Sequence, residues 1–268
     1  MPKVTVDGLE LAVLDPGGDG AVVLLAHGFG LDKTMFADLA TALAPRYRVI
    51  TWDSAGHGDT TSDGSPYTYW DLARGQLQLM DALGVERAVV GGVSQGGFIA
   101  LRTALLAPER VTSLVLMDTE ASALAADDRA QYTQLFAALT ASGPIDDLIV
   151  PLSRQIVGDE RLAAVWAARW RERGVPLGAP VDCLITRDDI VDRLAEITCP
   201  ALLLRGSEDV SIPVERMALL RDHLPGSTDI QTVDGAGHSP ALTHPAATAA
   251  IISAFLAGEL PAKSQRMV

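Results

Sequence analysis

The sequence predicts an α/β protein: a mostly parallel central sheet with helices on both faces and a helical segment inserted late in the chain. Three observations carry this expectation. From Ala21 to Asp118, strand-like apolar runs alternate with helical patterns, and that alternation calls for a parallel sheet flanked by helices. The runs Ala21–Ala26 and Val111–Met117 are apolar at consecutive positions, as in strands covered on both faces. From Ala121 to about Ile197 such runs stop and helical spacing replaces them. The chain is therefore divided into residues 1–120, a first core part; 121–197, an inserted helical cap; and 198–268, a second core part.

In order, Lys3–Val6 and Leu9–Leu14 read as strands joined at Asp7-Gly8, a strong hairpin signal. Ala21–Ala26 opens into His27-Gly28-Phe29-Gly30, and a helix is expected near Thr34–Ala44. Tyr47–Trp52 is the next strand. Thr68 caps a helix running to Leu83, with Leu72, Gln76, Leu79 and Leu83 along one side. Within 121–197, Tyr132, Leu135, Phe136 and Leu139 recur at helical spacing, as do Leu162, Val165, Trp166 and Trp170. Three or four helices are expected there, because so long a stretch without strands is a lid sooner than a loop. The sheet resumes at Ala201–Leu204, followed by a helix near Val214–Leu224, a strand Asp229–Val233 and a closing helix Pro245–Ala257. The polar tail Pro261–Val268 is expected to fray.

Composition narrows the function. The 268 residues are 48% hydrophobic, enough for a sizeable core. The net charge of -13 argues against nucleic acid or an anionic membrane as partner, since both would be repelled. No apolar run approaches the roughly 20 residues that span a bilayer, and the N-terminus lacks the apolar segment of a signal peptide. Two cysteines, Cys183 and Cys199, form no metal-like cluster and fit a reducing compartment. A cytoplasmic protein is expected, with no metal and no organic cofactor, either monomeric or a homo-oligomer.

The chemistry centres on Ala88 to Ala107, a strand, a turn and a helix. The turn Gly92-Val93-Ser94-Gln95-Gly96 matches Gly-x-Ser-x-Gly, whose glycines let the chain reverse sharply with the serine at the tip. There the hydroxyl meets the positive end of the helix, which favours a developing anion. Serine needs a base to take its proton, and the base needs an orienting acid. Asp209 follows the Ala201 strand and His238 follows the Asp229 strand. Asp118, at the end of the strand after the elbow helix, is the alternative acid. His27 braces the turn it sits in, His57 is structural, and His223 and His244 lack supporting context.

These residues resemble the α/β-hydrolase superfamily over nearly the whole chain. The matching motifs are His27-Gly28-Phe29-Gly30, the Asp53 loop with Gly56-His57-Gly58, the Ser94 elbow, Gly206 with Asp209 and Pro213, and Gly237-His238. The order Ser…Asp…His is that of these hydrolases. The resemblance implies Ser94 as nucleophile, His238 as base, Asp209 as its orienter, and the backbone N–H groups of Phe29 and Gln95 as oxyanion hole. It is nearest the capped esterase and 3-oxoadipate enol-lactonase-like branch, which implies a small-molecule ester or lactone as substrate. Serine at the elbow sets the chain apart from dehalogenases and epoxide hydrolases of this fold, which carry aspartate there. Ala55 stands where the family usually has Arg or Pro. The same triad also serves C–C hydrolysis, perhydrolysis and slow-turnover ligand reception in this fold.

In the helix near Arg161–Arg173, Trp166, Arg169, Trp170 and Arg173 share one face. Either the tryptophans pack on the core with the arginines solvated, or Trp166 and Arg169 line the substrate pocket, an arginine anchoring a carboxylate.

Overall fold

The computed structural model describes residues 3–6, 8–44 and 46–263. Asp7 of the expected hairpin turn and the tail beyond Lys263 lie outside them. The chain opens with strands β1 (Lys3–Val6) and β2 (Leu9–Leu14), paired antiparallel with Val6 opposite Leu9. There follow β3 (Ala21–Ala26), α1 (Ala37–Leu43), β4 (Tyr47–Trp52), α2 (Tyr69–Ala82), β5 (Ala88–Val93), α3 (Gln95–Leu106) and β6 (Val111–Met117). Four helices lie between β6 and β7: α4 (Ala126–Ser142), α5 (Asp146–Val157), α6 (Glu160–Arg173) and α7 (Ala179–Ile185). The chain closes with β7 (Ala201–Gly206), α8 (Val214–His223), β8 (Gln231–Val233), α9 (Pro240–Thr243) and α10 (Pro245–Leu256).

The eight strands form one sheet in the order β1-β2-β4-β3-β5-β6-β7-β8. β2 runs antiparallel to β1 and β4, and all later pairs are parallel. This is the α/β-hydrolase fold. Register aligns the strand ends: Ala26 lies opposite Gly92, Gly92 opposite Leu116, Leu116 opposite Leu203, and Gly206 opposite Val233. The loops after β3, β5, β6, β7 and β8 therefore open onto one edge, where such sheets place their sites.

Strand geometry explains the consecutive apolar runs. Alternate side chains leave a strand on opposite faces, and both faces are covered. On β3, Leu24 and Ala26 join a core containing Leu79, Ile99 and Leu101 from α2 and α3. Val23 and Leu25 join the other, with Leu39, Leu43, Ile252 and Phe255 from α1 and α10. The inserted helices extend both cores, Phe136, Leu152 and Trp170 on one side, Val157 and Trp166 on the other. Thr68 caps α2 in a reciprocal box: Asp71 N–H donates to its hydroxyl at 3.3 Å and Thr68 N–H to the Asp71 carboxylate at 2.8 Å.

Three expectations shift in detail. The helix expected near Thr34–Ala44 starts as a 3₁₀ turn, Lys33–Phe36, before α1. Asp32 sets that turn by accepting the Thr34 N–H at 2.8 Å. β8 covers only Gln231–Val233, because β7 offers it just Leu204 to Gly206 as partners. α9 is a short helix that the sequence reading did not anticipate.

Candidate active site

Ser94 sits between β5 and α3 at φ 53°, a left-handed conformation that a side-chain-bearing residue adopts rarely. Surrounding bonds hold it there. Its N–H donates to the Met117 carbonyl at 2.9 Å, and its own carbonyl accepts the Thr119 hydroxyl at 2.7 Å and the Gly97 N–H at 2.9 Å. The flanking glycines are required by close packing. A Cβ at Gly92 or Gly96 would run into the Ala26 carbonyl oxygen of β3. The elbow thus presses its backbone against the neighbouring strand, and the serine alone projects.

Asp209 and His238 come from the loops after β7 and β8, and both are buried. His238 Nδ1 lies 3.0 Å from Asp209 Oδ1. That oxygen also accepts the Ser211 N–H at 2.8 Å and the Ile212 N–H at 3.3 Å. Burial pushes the Asp209 carboxyl up, but the charge and hydrogen bond of His238 outweigh it, leaving the group below the usual carboxylate range. An ionised Asp209 can only accept at this contact, so His238 Nδ1 is its donor. Asp118 is fully buried beside this pair, also with positive φ, 43°. It accepts the Gly206 N–H at 2.9 Å. Burial, and then the Asp209 charge, hold its carboxyl well above the usual range.

The turn after β3 rests on His27. Ser54 N–H donates to His27 Nε2 at 3.1 Å, so the ring proton is on Nδ1, which donates to the Gly28 carbonyl at 2.8 Å. His57 is buried beneath and meets the Phe29 ring edge-on at 5.4 Å. Burial pushes its imidazole down to about 3, so it is neutral at any working pH. Gln95 opens α3, and its N–H has no partner within the helix. Its buried side chain turns away, accepting the Tyr69 hydroxyl at 3.4 Å.

Ser94, His238, Gly28 and Phe29 line one cavity of about 480 Å³. Its apolar wall comes from α4, α5 and α7, with Leu135, Phe136, Leu152 and Leu184. A charged wall faces it. Arg187, buried, pairs with Glu120 at 2.5 Å, and Arg216 approaches the other Glu120 oxygen at 3.4 Å. Sequence reasoning missed these three residues. No local signal links Glu120 to a partner so far along the chain.

Trp166 and Arg169 lie elsewhere, which corrects the pocket-lining expectation. They line a separate cavity of about 120 Å³ beside the turn after β3, with Gly30, Leu31 and Asp32. Arg169 stacks on Trp166 at 4.3 Å and donates to Asp32 at 3.3 Å and to the Thr34 hydroxyl at 3.0 Å. Trp170 Nε1 donates to the Gly30 carbonyl at 2.7 Å. The physical reason is this docking: α6 turns its tryptophan face onto the turn after β3, so its arginines tie helix to core. Arg173, mostly exposed, faces Asp59 at 3.5 Å.

An eight-stranded, mostly parallel sheet with a strained serine elbow and an Asp–His contact at neighbouring strand ends defines a hydrolase architecture. Residues 23–251 match the model of the Alpha/beta hydrolase family, and the chain belongs to that family. Among individual proteins, RutD of Caulobacter sp. (strain K31), provisionally named a carbamate hydrolase, is 30% identical over 97% of this chain and 99% of its own. A thermophilic esterase from Thermogutta terrifontis superposes with a TM-score of 0.83 at 27% identity, covering 96% of this chain and 99% of that one. The enol-lactonase from Burkholderia xenovorans LB400 superposes with a TM-score of 0.83 at 24% identity, over 96% of this chain and 100% of that one. At that identity the likeness is one of fold.

Proposed function

We propose that this hydrolase cleaves carboxylic esters, lactones included, through an acyl-enzyme on Ser94. His238 Nε2 takes the proton of the Ser94 hydroxyl as its oxygen attacks the substrate carbonyl. The N–H groups of Phe29 and Gln95 hold the resulting oxyanion, each donor contributing about 3–4 kcal/mol to the barrier reduction. The alcohol leaves with the proton that His238 returns. A water then gives a proton to His238 and attacks the acyl carbon, and His238 returns that proton to Ser94 Oγ as the acid is released. Asp209 keeps the imidazole in the required tautomer and stabilises the imidazolium. Residues 121–197 act as the cap, their helices roofing the acyl group with apolar side chains. The substrate is a small molecule, and the reaction as drawn uses only groups of the protein and water.

The observation that carries this reading is the 3.0 Å contact of buried Asp209 with His238, on a cavity shared with the strained Ser94. The similarity to the Thermogutta terrifontis esterase supports the ester class. The test is a panel of p-nitrophenyl esters of increasing acyl length, assayed for repeated turnover. Turnover by the wild type and its loss in Ser94→Ala are expected. Ligand-induced thermal stabilisation without turnover would make the protein a receptor instead. The relative named for carbamate supports a second reading, in which the same donors hold a carbamate carbonyl. Ammonia release from carbamate, with esters untouched, would select it.

A further inference from the structure

Two buried carboxyl groups lie side by side behind the imidazole, and only one is used by the mechanism. One oxygen of Asp118, one of Asp209 and a ring nitrogen of His238 all fall within 4.8 Å of one another. The bonds around them are divided unevenly. Asp209 Oδ1 is occupied by His238 and by the N–H groups of Ser211 and Ile212. Asp118 Oδ1 is occupied by the N–H of Gly206. The second oxygens, Asp118 Oδ2 and Asp209 Oδ2, are both buried and have no other hydrogen-bond partner. Burial penalises two adjoining carboxylate charges, and an unpartnered buried acceptor beside a second carboxyl becomes satisfied when one of the two takes a proton.

We propose that Asp118 is a positioning residue that sits as the neutral acid and donates its proton to Asp209 Oδ2, holding Oδ1 turned towards His238. The inference rests on Asp209 being the triad acid. The proton belongs on Asp118 for geometric reasons. Asp209 faces a partner that becomes cationic during turnover and accepts two further N–H groups, so its charge is supported. Asp118 has one N–H group and complete burial, so its charge is not. The other charged groups around the pair are Arg205, on β7, whose guanidinium donates to the Asp209 carbonyl at 3.3 Å, and His238 itself. The direction of the Asp118 shift, set by burial and by Asp209, agrees with this arrangement.

The arrangement has two consequences. Donation from Asp118 draws charge from the outer oxygen of Asp209, which tempers its pull on the imidazolium. An amide at position 118 can reproduce both bonds, its oxygen accepting from Gly206 and its nitrogen donating to Asp209. An alkyl side chain can reproduce neither. The proton also couples folding to pH. Because the folded pKa of Asp118 is raised, the folded state holds a proton that the unfolded chain releases above the ordinary carboxylate range. Wild-type stability is therefore drained as pH rises towards the folded value, and an asparagine is free of that drain.

The experiment compares Asp118→Asn, Asp118→Ala and Asp209→Asn with wild type for kcat, KM and pH profile on one ester, and for thermal unfolding at several pH values. Asp118→Asn is expected to lose no more than about fivefold in kcat, while Asp118→Ala loses roughly tenfold to a hundredfold with little change in KM. In Asp118→Ala the acid limb of the profile should move to higher pH. The melting temperature of Asp118→Asn should gain on wild type as pH rises from 5 to 8. Equal damage from Asn and Ala, or a melting difference that ignores pH, overturns the proposal. An inactive Asp118→Asn beside an active Asp209→Asn overturns the parent assignment instead, making Asp118 the triad acid. If Asp118→Ala does not fold, the Asn variant still decides through its melting series.

Discussion

His57 makes the protein sensitive to acid in a way that can be worked out from its surroundings. Its ring is buried against His27 and Phe29, and its Nε2 has no hydrogen-bond partner. Burial, with the adjacent His27, pushes its imidazole from the ordinary 6.5 down to about 3. A folded pKa below the unfolded value means that the unfolded chain binds the extra proton first. Stability from this group is therefore complete above pH 6.5 and is lost as pH falls towards 3. At about 1.4 kcal/mol per unit, the loss is roughly 2 kcal/mol at pH 5 and about 5 kcal/mol at full protonation. Burial shifts His27 in the same direction, which adds to the effect. His57→Asn keeps a donor for the Ala55 carbonyl, which in the wild type accepts from His57 Nδ1 at 3.2 Å, but cannot titrate. Urea denaturation of both proteins at pH 7.5 and pH 5 is the assay. The wild type should lose about 2 kcal/mol more between the two pH values than the variant, with unchanged m-values. Equal losses would refute the burial argument.

Other outcomes follow from the site. Asp209→Asn should lower kcat by about 10⁴-fold, since the amide leaves His238 in the wrong tautomer; stopped-flow or long-incubation ester assays measure the residue. Gly96→Ala should fail to fold or lose several kcal/mol, because its Cβ would enter the Ala26 carbonyl; circular dichroism on soluble material reads this. Arg169→Ala should leave KM for esters nearly unchanged and remove less than about 1 kcal/mol of stability, because its pair with Asp32 is part exposed. A large rise in KM confined to carboxylate-bearing lactones would return Arg169 to the substrate pocket. Incubation with EDTA should leave turnover unchanged, whereas a loss restored by a divalent ion would contradict a mechanism run by protein groups and water.

Much of the fold was legible because backbone constraints write themselves into local sequence. The runs at Ala21 and Val111 read as strands covered on both faces, and their side chains do divide between two cores. The Ser94 turn was legible because Gly92 and Gly96 are demanded by contact with β3. Asp209 and His238 were legible as strand-end residues, although their meeting depends on β7 and β8 being neighbours. The orientation of α6 was not legible. Helical spacing gave Trp166 and Arg169 a common face, but which surface that face meets is set by the distant turn Gly30–Thr34. The Glu120–Arg187 pair and the adjoining Asp118 and Asp209 carboxyls escaped for the same reason. Each joins residues far apart in the chain, brought together by strand order and the path of the inserted helices, and no short-range pattern encodes that.

The claim on which the rest depends is that Ser94 forms the covalent intermediate. A fluorophosphonate places a phosphorus where the acyl carbon would sit and is trapped by an activated serine. Intact-mass measurement with peptide mapping should find one adduct per chain, on Ser94, forming rapidly in wild type. Asp209→Asn should label far more slowly and Ser94→Ala not at all. An adduct on another residue, or none in a protein that turns esters over, would contradict the account.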